Sequence, residues 1–209
     1  NCIIVRCGSD RGKINEKIFG NNIIAYDPTT YESRKKIFYG YSDYGAGVWD
    51  SKWNKPAEEV IKLGREAGIS VLRFPGGCGA HRYNWKSAIG KDRKHFLYGV
   101  DEFLNTCKNM DAEPIITVSY FTGNEQDAAD LVEYLNAAND ENHRWASERA
   151  KNGNKQPFGV RNFEIGNEDW HGDQRDIKQV FPEEYAHRYL KYYSAMKTAD
   201  PSIQIGALL

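Results

Sequence analysis

The sequence has few cysteines, no long apolar run and almost no net charge, and each shortage excludes a class of protein. Four cysteines in 209 residues are too few for a disulfide scaffold. Cys2 and Cys7 would face opposite sides of a strand and could not bridge each other without a turn. Cys78 follows a glycine pair and Cys107 falls on the apolar face of a helix, so buried thiols are the expected state. No run approaches the ~20 apolar residues of a membrane span, and no signal-peptide pattern opens the chain. The formal net charge of −1 argues against nucleic acid or an anionic membrane as the main partner. A dinucleotide fingerprint is missing too. Its nearest approach, Gly77-Cys78-Gly79-Ala80-His81-Arg82, has Arg82 where the last glycine should stand, and there is no phosphate-binding P-loop.

What remains is the composition of an ordinary globular protein, 40% apolar and 27% charged, with a rich aromatic supply of 13 Tyr, 9 Phe and 5 Trp. Most of these rings are expected in the core, although the same residues suit stacking on sugars. The compartment stays open between cytoplasmic and secreted. Because residues 2–5 already read as a strand, the natural start of the gene product is expected upstream.

Along the chain, strands alternate with helices. Residues 18–26 are an apolar run broken by Asn21 and Asn22, and residues 27–55 form a long loop with Tyr31, Phe38, Tyr39, Tyr41, Tyr44, Trp49 and Trp53. Loops of that length are usually functional or disordered, and so many aromatics argue against disorder. Pro56 is expected to open a helix that Gly68 ends, with Val60, Ile61 and Gly64 at helical spacing. Residues 70–74 are a short strand closed by Pro75-Gly76-Gly77. A helix follows from about Val100, then a strand over 114–120 rich in β-branched residues. Asn124 caps the next helix, and residues 139–158 read as a loop. Pro182 opens a last helix, stopped at Asp200-Pro201, and residues 202–209 read as a further strand.

Repeating strand–helix units of roughly 45 residues imply a parallel sheet with right-handed crossovers. With no dinucleotide motif, the (β/α)8 barrel of TIM type is favoured over an open sheet. Only about five βα units are present where a barrel needs eight. The expected organisation is therefore an amino-terminal strand over 1–16, of the kind an accessory β-domain would supply, and a partial barrel over 17–209. An exposed apolar last strand is an aggregation hazard, so the chain reads as the amino-terminal part of a longer protein or as a half-barrel completed by another chain. A homo-oligomer fits that reading.

The stretch around which the rest is organised is Val160-Arg161-Asn162-Phe163-Glu164-Ile165-Gly166-Asn167-Glu168-Asp169-Trp170. It is a buried strand leaving its sheet and presenting a carboxamide and a carboxylate at the end where barrels place their chemistry. Partial desolvation against the strand and a nearby indole would favour the protonated carboxyl that a general acid needs. The competing reading of Glu168 is a residue that simply caps the following loop. Glu164 has the same strand parity as Glu168, four residues deeper, and a carboxylate there needs a cation, for which Arg73 is the candidate.

Taken together, Lys17-Ile18-Phe19-Gly20-Asn21-Asn22, Val71-Leu72-Arg73-Phe74-Pro75-Gly76-Gly77-Cys78, Tyr83-Asn84-Trp85-Lys86-Ser87-Ala88-Ile89-Gly90, the 128–136 helix and Phe163-Glu164-Ile165-Gly166-Asn167-Glu168-Asp169-Trp170 resemble glycoside hydrolase family 51. That is the family of the α-L-arabinofuranosidases, in clan A of the barrel glycosidases. The resemblance implies retaining hydrolysis, with Glu168 as acid/base, Asn167 at the sugar 2-hydroxyl and Arg73 beneath the catalytic carboxylates. It places Cys78 and Trp85 near the sugar, implies a nucleophile on a later strand absent from this chain, and requires no cofactor. The partner would be an oligosaccharide or polysaccharide. The family's first strand ends in a sugar-binding Glu, whereas the matching position here holds Ile24, followed by Ala25. Another clan A activity, on xylosides, galactosides or glucuronides, is thus an alternative, and so is a non-catalytic carbohydrate-binding protein.

Among the aromatics, Trp85 and Trp170 can stack on sugars or pack the barrel rim, and Tyr44, Trp49 and Trp53 are the candidate platform in the long loop. His171 and Asp173 with Asp169 could suggest metal ligands, but without a closing set no metal is assigned. Cys78 with His81 lacks a third group to orient the histidine, so no cysteine nucleophile is assigned.

Overall fold

The computed structural model describes residues 8, 12–23, 47–50, 53–81, 83–91, 93, 98–172 and 178–208. The expected strand over 2–5, Cys2 and Cys7, Ile24 and Ala25, the loop aromatics from Tyr31 to Tyr44, Arg82 and Asp173 lie outside the described residues.

The framework is a parallel sheet of five strands: β1 (Gly20–Asn22), β4 (Val71–Phe74), β5 (Glu113–Val118), β6 (Asn162–Ile165) and β7 (Gln204–Gly206). They lie side by side in that order, every neighbour parallel. Trp49–Asp50 (β2) and Lys55–Pro56 (β3) form a separate antiparallel pair, with Trp49 opposite Pro56. The connecting helices are α1 (Glu58–Glu66), α2 (Val100–Met110), α3 (Glu125–Asn136), α4 (Arg144–Lys151) and α5 (Pro182–Ala199). An all-parallel sheet needs crossovers, and these helices supply them. The fold is α/β, consistent with part of a TIM-type barrel.

Local chemistry accounts for most boundaries. Gly68, at φ +73°, ends α1. On the inner face of α1, a Cβ at Gly64 would lie 2.7 Å from Met110 Cε, so glycine is what lets α1 approach α2 closely. At the start of α2 the Glu102 carboxylate accepts from the Gly99 backbone N–H at 2.8 Å and also binds Arg93. Asn124 caps α3 by accepting from Gln126 and Asp127 backbone N–H groups, and the Asp127 carboxylate accepts in return from the Asn124 N–H at 3.1 Å. The core beneath is aromatic: Phe74 stacks on Phe103 and meets the edges of Tyr83 and Tyr98.

Three sequence expectations are corrected. Pro56 does not open α1; it pairs with Trp49 in the small hairpin, and the helix begins two residues later. The first strand is much shorter than residues 18–26 within the described region, and Ile18 is 66% exposed in the turn before it. The stretch 139–158 is not all loop, because α4 lies within it. Its sequence, Arg-Trp-Ala-Ser-Glu-Arg-Ala-Lys, has no apolar stripe to advertise a helix. It is anchored by a fully buried Arg149, whose guanidinium donates to the carbonyls of Tyr134 (2.6 Å), Ala137 (2.9 Å) and Asn154 (3.0 Å). Among the described residues no helix is long and apolar enough to cross a membrane.

One half-buried acid contributes to a pH signature of the fold. Asp101, in the first turn of α2, accepts a hydrogen bond from the Tyr134 hydroxyl at 2.8 Å, and burial pushes its pKa up to about 6. The folded chain therefore binds a proton there that the unfolded chain, at an ordinary Asp pKa of about 3.9, has released. Stability should be highest below about pH 4 on this account and fall as pH rises to about 6. Asp169 is raised to about 6 in the same way, so in Asp101→Asn the decline should be roughly halved in a plot of urea midpoint against pH. An unchanged slope would show that other groups set it.

Candidate active site

In a parallel sheet the carboxyl ends of all strands share one edge, and β4 and β6 bring their following turns together there. The Gly166 N–H extends the ladder by bonding to the Val118 carbonyl at 2.9 Å. The backbone then leaves the sheet through two left-handed residues, Gly166 at φ +84° and Glu168 at φ +51°, on either side of Asn167. A short 3-10 turn, Asp169–His171, follows. A Cβ on Gly166 would overlap the Asp169 carboxylate, so only glycine fits there. Gly166→Ala is expected to cost about 2–3 kcal/mol through left-handed strain and overlap together, read as a lowered urea midpoint. An unchanged midpoint would mean that the loop has slack.

Asn167 is held from every side. Its side-chain oxygen accepts from Arg73 Nη2 at 3.2 Å, and its backbone N–H donates to Asp169 Oδ1 at 3.2 Å. Its carbonyl accepts from His81 Nε2, which must therefore carry the proton. His81 is itself fully buried, and its carbonyl accepts from Ser119 Oγ at 3.1 Å and Thr122 Oγ1 at 2.7 Å. The loops after β4, β5 and β6 are thus tied into one unit. Asn167 Nδ2 is buried and has no hydrogen-bond partner among the described residues.

Beneath this loop the Arg73–Glu164 pair expected from strand parity is present: Arg73 Nε donates to Glu164 Oε1. Thr117 Oγ1 donates to the same oxygen at 2.8 Å, from the position opposite Glu164 in the register of β5 and β6. Arg73 Nη1 reaches across to Asn22 Oδ1 on β1 at 3.1 Å. One guanidinium therefore serves β1, β6 and the loop that carries Asn167.

Glu168 stands at the open edge. Its side chain is 52% exposed, so the desolvation expected from sequence is not found in this chain: the left-handed turn swings the side chain outward instead of continuing the strand. His171 Nε2 lies 3.3 Å from Glu168 Oε2, while its Nδ1 donates to the Gly172 carbonyl at 2.7 Å. The hydrogen bond to Glu168 is the main reason why the His171 pKa is raised above its ordinary value. Cys78, on the 3-10 turn Gly77–His81 after β4, completes the cluster. Its sulfur, a Glu168 carboxylate oxygen and a His171 ring nitrogen all lie within 4.8 Å of one another. Trp170 is beside them, 47% exposed.

The other sequence candidates fall elsewhere. Trp85 is 6% exposed, donates from Nε1 to the Asp127 carbonyl at 3.0 Å, and is packed against Tyr134 and Trp145. Trp49 is 7% exposed and sits edge-on to Tyr98 in the core. Among the described residues both rings are packed against other aromatics. Trp53 is exposed. Asp169 does not join His171 as a ligand: it is buried, turned toward Asn167 and 3.6 Å from His81, and burial pushes its pKa up to about 6. His81 serves the Asn167 carbonyl. Sequence reasoning missed His81, Asn22 and Thr117 as supports. Only Thr117 gave a sign, as a polar residue amid the apolar run of β5.

Known proteins resemble this chain in sequence and fold. The family model described as the alpha-L-arabinofuranosidase 1 domain matches residues 65–208. A probable alpha-L-arabinofuranosidase C of Aspergillus fumigatus is 32% identical over 184 residues, 81% of this chain and 35% of that protein. The intracellular exo-alpha-(1->5)-L-arabinofuranosidase of Bifidobacterium longum is 28% identical over 166 residues, 72% of this chain and 28% of that protein. The chain therefore spans about a third of the length of the curated relatives it matches. Among solved structures, a family 51 alpha-L-arabinofuranosidase from B. longum superposes with a TM-score of 0.74 at 25% identity, covering 92% of this chain and 38% of that one. The arabinose complex of the alpha-L-arabinofuranosidase from Thermotoga maritima gives 0.71 at 26% identity, covering 90% and 39%. With the family model matching most of its length, the chain belongs to glycoside hydrolase family 51, the family of the α-L-arabinofuranosidases.

Proposed function

We propose that these residues carry the acid/base half of a retaining glycoside hydrolase, and that the protein removes terminal α-L-arabinofuranosyl groups from plant polysaccharide side chains. The observation that carries the reading is the Gly166-Asn167-Glu168 turn. It presents a carboxyl at the open edge of the sheet, beside a carboxamide whose oxygen is fixed by Arg73. In this reading the Glu168 carboxyl gives its proton to the glycosidic oxygen as the bond to the sugar breaks. The resulting carboxylate then takes a proton from the water that releases the sugar. Asn167 Nδ2, a buried donor lacking a partner among the described residues, would be satisfied by the sugar 2-hydroxyl. The nucleophile, a second carboxylate ~5–5.5 Å from the first, is assigned to a part of the protein outside these 209 residues. This chain alone is then expected to be inactive.

Ile24, at the position where the family's first strand ends in a sugar-binding Glu, favours a second reading: the same mechanism on a xyloside, galactoside or glucuronide. A panel of aryl glycosides offered to the complete protein separates the two. Hydrolysis of the α-L-arabinofuranoside, with the first-formed sugar retaining its configuration, supports the proposal. Cleavage of another glycoside replaces the sugar, and turnover of none leaves carbohydrate binding alone.

A further inference from the structure

We propose that Cys78, Glu168 and His171 form a three-ligand site for zinc, and that zinc held there competes with substrate for Glu168. The second half rests on the acid/base reading above; the first does not.

The donor set is the starting point. A sulfur, a carboxylate oxygen and an imidazole nitrogen within 4.8 Å of one another are a mixed set that suits Zn2+. Ca2+ and Mg2+ prefer oxygen alone. Thiolate and carboxylate together carry two negative charges, which would balance the ion, and the thiol proton would leave as the metal binds. Three protein ligands with an open fourth position, filled by water, is the arrangement typical of accessible zinc.

Geometry supports the same conclusion. Zinc–ligand bonds of about 2.0–2.3 Å place tetrahedral ligand atoms about 3.3–3.8 Å apart. Glu168 and His171 already stand at 3.3 Å, and the Cys78 sulfur lies within 4.8 Å of both. Glu168 and His171 are three apart around a 3-10 turn, where side chains at that spacing overlie one another. The His171 Nδ1–H bond to the Gly172 carbonyl fixes the ring so that Nε2 faces the cluster, the outer-shell hydrogen bond that metal-binding histidines commonly make. Cys78 comes from the other loop, but the two loops are locked together by the contact of His81 with the Asn167 carbonyl. The three donors are thus gathered on two joined loops before any ion arrives.

The test starts from the 209-residue chain with Cys2 and Cys7 changed to Ser, so that the amino-terminal thiols cannot contribute. Calorimetric titration should find one equivalent of Zn2+, and Co2+ should give tetrahedral d–d bands with a thiolate charge-transfer band. Cys78→Ser should abolish the charge-transfer band, and Cys78→Ser and His171→Ala should each weaken Zn2+ binding at least tenfold, with unchanged circular dichroism. Parental affinity in both variants would overturn the site. If a variant loses its fold, Co2+ spectra of the parent with and without prior alkylation of Cys78 decide in its place, a persisting charge-transfer band overturning the site. In the complete protein, zinc should act as a competitive inhibitor, and His171→Ala should raise the concentration for half inhibition at least tenfold. Zinc binding that leaves hydrolysis untouched overturns the competition. Zinc binding without hydrolysis of any glycoside sinks the functional reading and leaves the site standing, whereas hydrolysis without zinc binding sinks the site alone.

Discussion

Glu168→Gln in the complete protein should lower kcat by about 10³–10⁴ on glycosides with alkyl or sugar leaving groups, with much less effect on the bond-breaking step for dinitrophenyl glycosides. The contrast follows from what the proton does. An alkoxide cannot depart without it, while a dinitrophenolate can, so the carboxyl matters in proportion to the basicity of the departing oxygen. A carboxamide keeps the size and the hydrogen-bonding edge of the side chain but has no proton to give. Substituting alanine instead leaves room for a small anion, and added azide should restore turnover of the activated substrate as an azido sugar of retained configuration. Wild-type rates on alkyl glycosides would remove Glu168 from the chemistry altogether. The exposure of this side chain sharpens the test, because its loss should scarcely change stability.

Arg73→Met should have the opposite profile, with its largest effect on folding. The Arg73 and Glu164 side chains are 17% and 23% exposed, so the partner left behind would be a mostly buried carboxylate with Thr117 as its remaining hydrogen-bond donor among the described residues. Breaking such a pair from one side costs several kcal/mol, and with this residual exposure about 2–4 kcal/mol is expected in urea unfolding. Replacing both partners by methionine should recover most of that loss, since neither charge is then stranded. A cost below about 1 kcal/mol for the single change would mean that solvent screens the pair. The variant also frees the Asn167 carboxamide, so in the complete protein KM should rise more than stability alone explains.

Much of this was legible before any coordinates. The order of strands and helices followed from apolar periodicity and from the Gly and Pro that punctuate it, because both act locally. The Arg73–Glu164 pair was legible for a similar reason: strand parity fixes the face on which Glu164 lies, and a charge there needs a counterion. Helix α4 was not legible, since it is held by a buried arginine reaching backbone carbonyls and not by an apolar stripe. Nor was the outward turn of Glu168, which depends on two left-handed residues, Gly166 and Glu168, flanking Asn167. For Trp49 and Trp85 the sequence leaves sugar stacking and packing both open, because an indole in a loop reads the same whether it lines a rim or fills a core. Their burial against Tyr98, Tyr134 and Trp145 was not legible, because it depends on residues distant in sequence.

The left-handed backbone at position 168 has an evolutionary consequence. A β-carbon there is strained by about 1–2 kcal/mol, which glycine would avoid and asparagine would tolerate better. Selection for thermal robustness alone would therefore drive glutamate out of this position, and only turnover keeps it in place. Descendants of this protein that have given up hydrolysis should be recognisable by a glycine or asparagine after the Gly-Asn pair, together with a higher melting temperature.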